Sequence, residues 1–102
     1  SLLFKSGSAK IENEDALLFI KRIALIIGEL PNNMHVSVQG YTDNRGPGAQ
    51  SIYKDNWELS SARAISVLHE LLLDGVKPKR ISAAGYAQYT PVATNETAQG
   101  RE

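Results

Sequence analysis

The sequence predicts an α+β domain, an α/β sandwich with two helices on one face of a short-stranded sheet. Three observations carry that expectation. Two stretches repeat their apolar residues at helical spacing, 16–30 and 56–74. Two stretches alternate at strand spacing, 35–42 and 80–87. Each alternating stretch carries a Gly-Tyr pair toward its end, Gly40-Tyr41 and Gly85-Tyr86, so the helix–turn–strand order occurs twice, although the similarity is too slight for a true repeat.

Along the chain, Leu2-Leu3-Phe4 is a short apolar run ending at Lys5-Ser6-Gly7-Ser8, which suits a strand and a turn. Asn13 then suits a helix N-cap, with Glu14 and Asp15 placed where the helix dipole favours acids. Ala16, Ile20, Ile23, Ile27 and Leu30 recur in steps of four and three, and Phe19 and Ile26 widen that stripe. Pro31 stops the helix, and Asn32-Asn33 turn the chain. Val36, Val38 and Gly40 share one strand face, while His35, Ser37, Gln39 and Tyr41 share the other. From Asp43 to Asp55 the chain is poor in apolar residues and contains Gly46-Pro47-Gly48, a loop long enough to suggest function. Leu59, Ala64, Val67, Leu68 and Leu71 form the stripe of the second helix, and Gly75 suits its C′ position. Lys77-Pro78-Lys79 is a turn, and Ile81, Ala83 and Gly85 line one face of the second strand. Beyond Pro91 the pattern is that of a loop, with a helical turn near Glu96.

Composition narrows the function. The 102 residues fit one domain, 1–102, able to bury a modest core without staples. Eleven basic and eleven acidic side chains cancel, which argues against a nucleic-acid binder. With no cysteine, disulfides, thiolate zinc sites and cysteine nucleophiles are excluded. No apolar run is long enough to cross a membrane. A chain starting at Ser1 with no leader reads as a domain excised from a longer protein. His35 and His69 have neither a nucleophile elbow nor a metal-ligand spacing beside them and read as surface residues. Asp55 and Glu58 read as solvated acids opening a helix. The expectation is therefore a chain that is not an enzyme and has no catalytic residue, metal site or cofactor.

Asp43 and Arg63 stand out. Asp43 follows a strand directly, at the strand end where α/β sheets bind ligands. Arg63 borders the apolar stripe near a helix N-terminus, the end that disfavours a cation, and so requires a partner or a ligand. Spacing alone leaves two readings. One is a plain ion pair fastening the loop to the helix. The other is a zwitterion grip, the carboxylate taking an ammonium and the guanidinium a carboxylate in fork geometry.

The segments Gly40-Tyr41-Thr42-Asp43-Asn44 and Asn56-Trp57-Glu58-Leu59-Ser60-Ser61-Ala62-Arg63-Ala64, followed by Gly85-Tyr86, Pro91, Asn95 and Gly100-Arg101, resemble the OmpA-like peptidoglycan-binding domain. The stretch from Leu3 to Ala9 is similar to that family's first strand and loop. Asn56-Trp57-Glu58-Leu59-Ser60 is most similar to the MotB-type branch, the stators of flagellar motors. Anchoring domains of type VI secretion share the Asn-Trp pattern, and lipoproteins and porins form the wider set. The resemblance implies a βαβαβ-type domain with a mixed sheet and two long helices on one face. It implies non-covalent attachment to peptidoglycan in the periplasm, by a parent chain anchored in the inner membrane. Asp43 and Arg63 would hold the diaminopimelate of the stem peptide, Asn56 would supply an amide, and Thr42, Asn44 and Leu59 would line the pocket. A homodimer is implied too. The family's final strand after Gly-Arg is missing here, because the chain ends at Arg101-Glu102, so an open sheet edge is expected. The other readings are a wall anchor of another envelope complex, an OmpA-like lipoprotein or a type VI secretion component, and a protein-interaction or dimerisation domain with a degenerate pocket.

Overall fold

The structure, a computed structural model, describes residues 3–89. Helix α1 spans Glu14–Glu29, strand β1 Val36–Gly40, helix α2 Asn56–Leu73 and strand β2 Ile81–Gly85, with a single turn of 3₁₀ helix at Pro78–Arg80. The fold is mixed α and β, as the sequence predicts.

Helix α1 starts where its cap allows. The Asn13 side chain accepts the Asp15 N–H at 2.8 Å, and Glu14 and Asp15 occupy the first turn. Ala16, Ile20, Ala24 and Ile27 are its buried residues. Ile20, Ala24 and Ile27 join Leu71, Val76 and Ile81 in one aliphatic cluster, with Val36, Val38, Val67 and Leu68 packed around it. The predicted stripe is therefore right along its centre and too wide at its edges. Phe19 is 56% exposed and Ile26 59%, because α1 is covered on one side only.

Strands β1 and β2 pair in parallel, Val36 opposite Ile81 through Gly40 opposite Gly85. Val36 and Val38 meet the helices, while Ser37 and Gln39 face solvent. Among the described residues the sheet has these two strands, and the parallel pair is what they contribute to the expected mixed sheet. The strand expected at Leu2-Leu3-Phe4 is not found: Leu3 and Phe4 lie outside any strand, and Leu2 lies outside the described residues. Leu3 instead packs against the aliphatic cluster, and Phe4 lies under the Arg63 guanidinium at 5.1 Å. An apolar run of three residues is buried equally well either way, which is why it misleads. The readings placed beyond Tyr89, including the turn near Glu96 and the missing final strand, fall outside the described residues.

The two Gly-Tyr pairs have a common cause. Gly40 and Gly85 are register partners at the strand ends, directly beneath Ser60 and Ser61 of α2. A Cβ on Gly40 would collide with the Ser60 carbonyl, and one on Gly85 with the Ser61 backbone nitrogen and hydroxyl. Side chains are excluded at both positions so that α2 can lie close on the sheet. Tyr41 and Tyr86 follow, and their rings stack at 5.4 Å.

Candidate functional site

The site lies at the ends of the strands, where the long loop leaves β1 and α2 begins. Asp55 caps α2, its carboxylate accepting the Glu58 N–H at 2.9 Å, and Glu58 accepts the Lys54 N–H in return. These two acids close the cap at the start of α2, as the sequence suggested.

A cavity of about 460 Å³ opens beside this cap. Thr42, Asp43, Asn56, Leu59 and Arg63 line it, together with Phe4, Tyr41 and Arg45. Five of the six residues selected from sequence are thus brought to one hollow. The sixth, Asn44, is exposed and does not line it.

Arg63 is the eighth residue of α2 and is half-buried. Its Nε donates to the Ser8 carbonyl at 2.8 Å and its Nη2 to the Lys5 carbonyl at 3.1 Å. Ser66, one turn on, donates to the Ala9 carbonyl at 2.6 Å. Together they strap segment 5–9 along the helix. Burial lowers the Arg63 pKa and the nearby Asp43 charge opposes that shift; the guanidinium stays charged in neutral water.

Asp43 is exposed and paired elsewhere. The Arg45 backbone N–H donates to Oδ1 at 2.9 Å, and Arg45 Nη2 and Nε donate to Oδ2 at 3.0 and 3.3 Å. These bonds hold the Asp43 carboxyl below its ordinary value, the Arg45 side chain contributing most. The plain ion pair between Asp43 and Arg63 is therefore not formed. The two groups face one cavity with opposite charge and act on each other through space.

The tie between loop and helix is made by Asn56 instead. Its Nδ2 donates to the carbonyls of Asp43 and Arg45, at 3.0 and 2.8 Å. Two carbonyls can only accept, so they fix which end of the amide is the nitrogen. The amide hydrogens assigned to a ligand from sequence are spent on the loop. Asn56 Oδ1 and Thr42 Oγ1 are buried with no hydrogen-bond partner among the described residues. Arg45 was missed by sequence reasoning. Its signal was present, a cation two residues after Asp43 in a loop where short side-chain-to-backbone bonds form readily.

No group of three or more His, Cys, Asp or Glu side chains suited to a metal ion occurs among the described residues. His35 lies just before β1, with its Nε2 2.9 Å from Ser82 Oγ on the solvent face, and His69 is exposed on α2.

Residues 3–102 match the OmpA family. Motility protein B of Helicobacter pylori strain J99 is 38% identical over 101 residues, covering 99% of this chain and 39% of that protein. The chain thus spans about two-fifths of the length of that relative. A crystal structure of the periplasmic domain of Helicobacter pylori MotB superposes with a TM-score of 0.81 at 37% identity, over 98% of this chain and 61% of that one. The cell wall anchor of the type VI secretion system from Pseudomonas aeruginosa superposes at 0.74 and 35% identity, over 97% of this chain and 66% of that one.

Proposed function

The chain belongs to the OmpA family, and we propose that it is a binding module which grips the diaminopimelate of peptidoglycan stem peptides and so anchors a MotB-type flagellar stator to the cell wall. One observation carries this reading: Asp43 and Arg63, opposite in charge, line one open cavity without pairing to each other. An amino-acid head group carries an ammonium and a carboxylate on one carbon. Asp43 would take the ammonium, exchanging its exposed partner Arg45 for the ligand. The Arg63 guanidinium has five N–H donors, and two go to the Ser8 and Lys5 carbonyls, which hold it in place while a ligand carboxylate takes others. Leu59 and Phe4 would border the aliphatic part of the ligand.

The work of such a module is mechanical, and no turnover enters this reading. The relatives' printed names, a periplasmic domain and a cell wall anchor among them, support a periplasmic setting; a parent chain held in the inner membrane is part of the proposal. A homodimer is part of the proposal. Leu18, Phe19, Leu25 and Ile26 leave the outer side of α1 apolar and exposed, a surface a second copy would cover. Sedimentation that finds a monomer at every concentration would remove this part alone.

The test is co-sedimentation with insoluble diaminopimelate-type peptidoglycan. The native chain is expected in the pellet and the doubly substituted chain, Asp43→Ala with Arg63→Ala, in the supernatant. Retention of the double variant would overturn the site. A native chain that ignores the wall but self-associates would favour an interaction domain with a degenerate pocket.

A further inference from the structure

The cavity is lined by one carboxylate and two guanidiniums, Asp43 against Arg45 and Arg63. Arg45 engages both oxygens of Asp43, yet the pair is wet: the Arg45 side chain is 85% exposed and that of Asp43 58%. Ion pairs this exposed are weak and exchange partners readily. The root of Arg45 is fixed, because Asn56 holds its carbonyl at 2.8 Å and that of Asp43 at 3.0 Å. Arg45 is thus a long charged arm on an anchored base at the cavity rim.

Counting charge gives the arm a use. With Asp43 balanced by Arg45, the site keeps one surplus positive charge, on Arg63. A neutral head group would bring an ammonium to Asp43 and a carboxylate to Arg63, and would leave the displaced Arg45 without a counter-ion. A ligand with one ammonium and two carboxylates balances all three groups. We propose that Arg45 is a specificity residue: once the ligand's ammonium replaces it on Asp43, its guanidinium pairs with a second carboxylate of the same ligand. The site then selects stem peptides in which diaminopimelate has both carboxyl groups free over those in which one is blocked as an amide. This inference rests on the stem-peptide reading above and adds the ligand's charge state to it.

Titration calorimetry tests it with two synthetic stem peptides ending in diaminopimelate, one with the terminal α-carboxyl free and one with it amidated. The native chain is expected to bind the free acid about fivefold more tightly, the scale of an exposed ion pair. Added salt shrinks that preference. Arg45→Ala is expected to bind both peptides equally, at the level of the amide, and Arg45→Lys to keep part of the preference. Arg45 is exposed, so neither substitution threatens the fold. Equal binding of both peptides by the native chain overturns the inference. So does an Arg45→Ala variant that binds the free acid as tightly as the native chain or more so, since Arg45 would then only compete for Asp43. Arg63→Ala separates the two levels. If it abolishes binding while Arg45→Ala changes nothing, the stem-peptide reading stands and the role of Arg45 falls. If the native chain binds neither peptide, both fall together.

Discussion

Two arginines, at opposite ends of the strands, make the same kind of bond and serve different ends. Arg80 donates to the carbonyls of Pro31 and Met34 at 3.0 and 3.3 Å, and Arg63 to those of Lys5 and Ser8. Each guanidinium thus fastens a loop through two backbone oxygens. Arg80 is only 8% exposed, tucked beneath the turn between α1 and β1, beside the aliphatic cluster. Arg63 opens on a cavity with a carboxylate across it. The contrast extends to the surroundings. The Arg80 end is filled by Ile20, Ile27, Leu71 and Ile81. The Arg63 end is assembled from Gly40, Gly85, Ser60 and Asn56, through close backbone approach and hydrogen bonds. The buried aliphatic cluster lies at one end, and the cavity proposed for recognition lies at the other.

The strongest break in that contrast is Ile20→Ala. This fully buried side chain sits in the aliphatic cluster, and its loss is expected to cost about 4 kcal/mol in denaturant unfolding while the folded fraction still binds wall. Gly40→Ala comes next, at about 3 kcal/mol, because its methyl group meets the Ser60 carbonyl and α2 must shift. This substitution touches both ends, so binding is expected to fall with stability. Arg80→Ala is expected to cost about 2 kcal/mol through two lost charge-assisted bonds, with wall binding unchanged below the melting range. Arg63→Ala reverses the pattern: about 1 kcal/mol in stability and at least about a tenfold loss in binding.

The smallest effect is that of pH. Arg45 depresses the Asp43 pKa, so the pair's contribution is fully present above the ordinary aspartate value of 3.8 and is lost only as pH falls through the lower folded value. Wall binding should therefore stay level as pH falls from about 7 to about 5 and decline only below 3.8. Binding that declines well above that value would show that Asp43 is not the titrating partner.

The sequence exposed these two ends by different signals. Periodicity found the Arg80 end: Ile20, Ile27, Leu71 and Ile81 stand at helix or strand spacing, and Asn13 and Pro31 mark the limits of α1. It failed where periodicity exceeds burial, at Phe19 and Ile26, since spacing says which residues share a face but not how much of that face is covered. The Arg63 end has almost no periodic signal. It was legible through residue types at fixed places, Asp43 after a strand and Arg63 beside a stripe, and through family resemblance. Arg45 escaped because its contact depends on the path of the loop, which no alternation encodes. The hydrogens of Asn56 escaped for the same reason: only the folded loop shows that two carbonyls claim them.

The division of labour is tested most directly by measuring thermal unfolding and peptidoglycan co-sedimentation on the same preparations of Arg63→Ala and Arg80→Ala. The expected result is that Arg63→Ala melts close to the native chain and stays in the supernatant, while Arg80→Ala melts earlier and still pellets below its melting range. Loss of binding in step with loss of stability in both variants, or an Arg63→Ala chain that pellets like the native one, would contradict it.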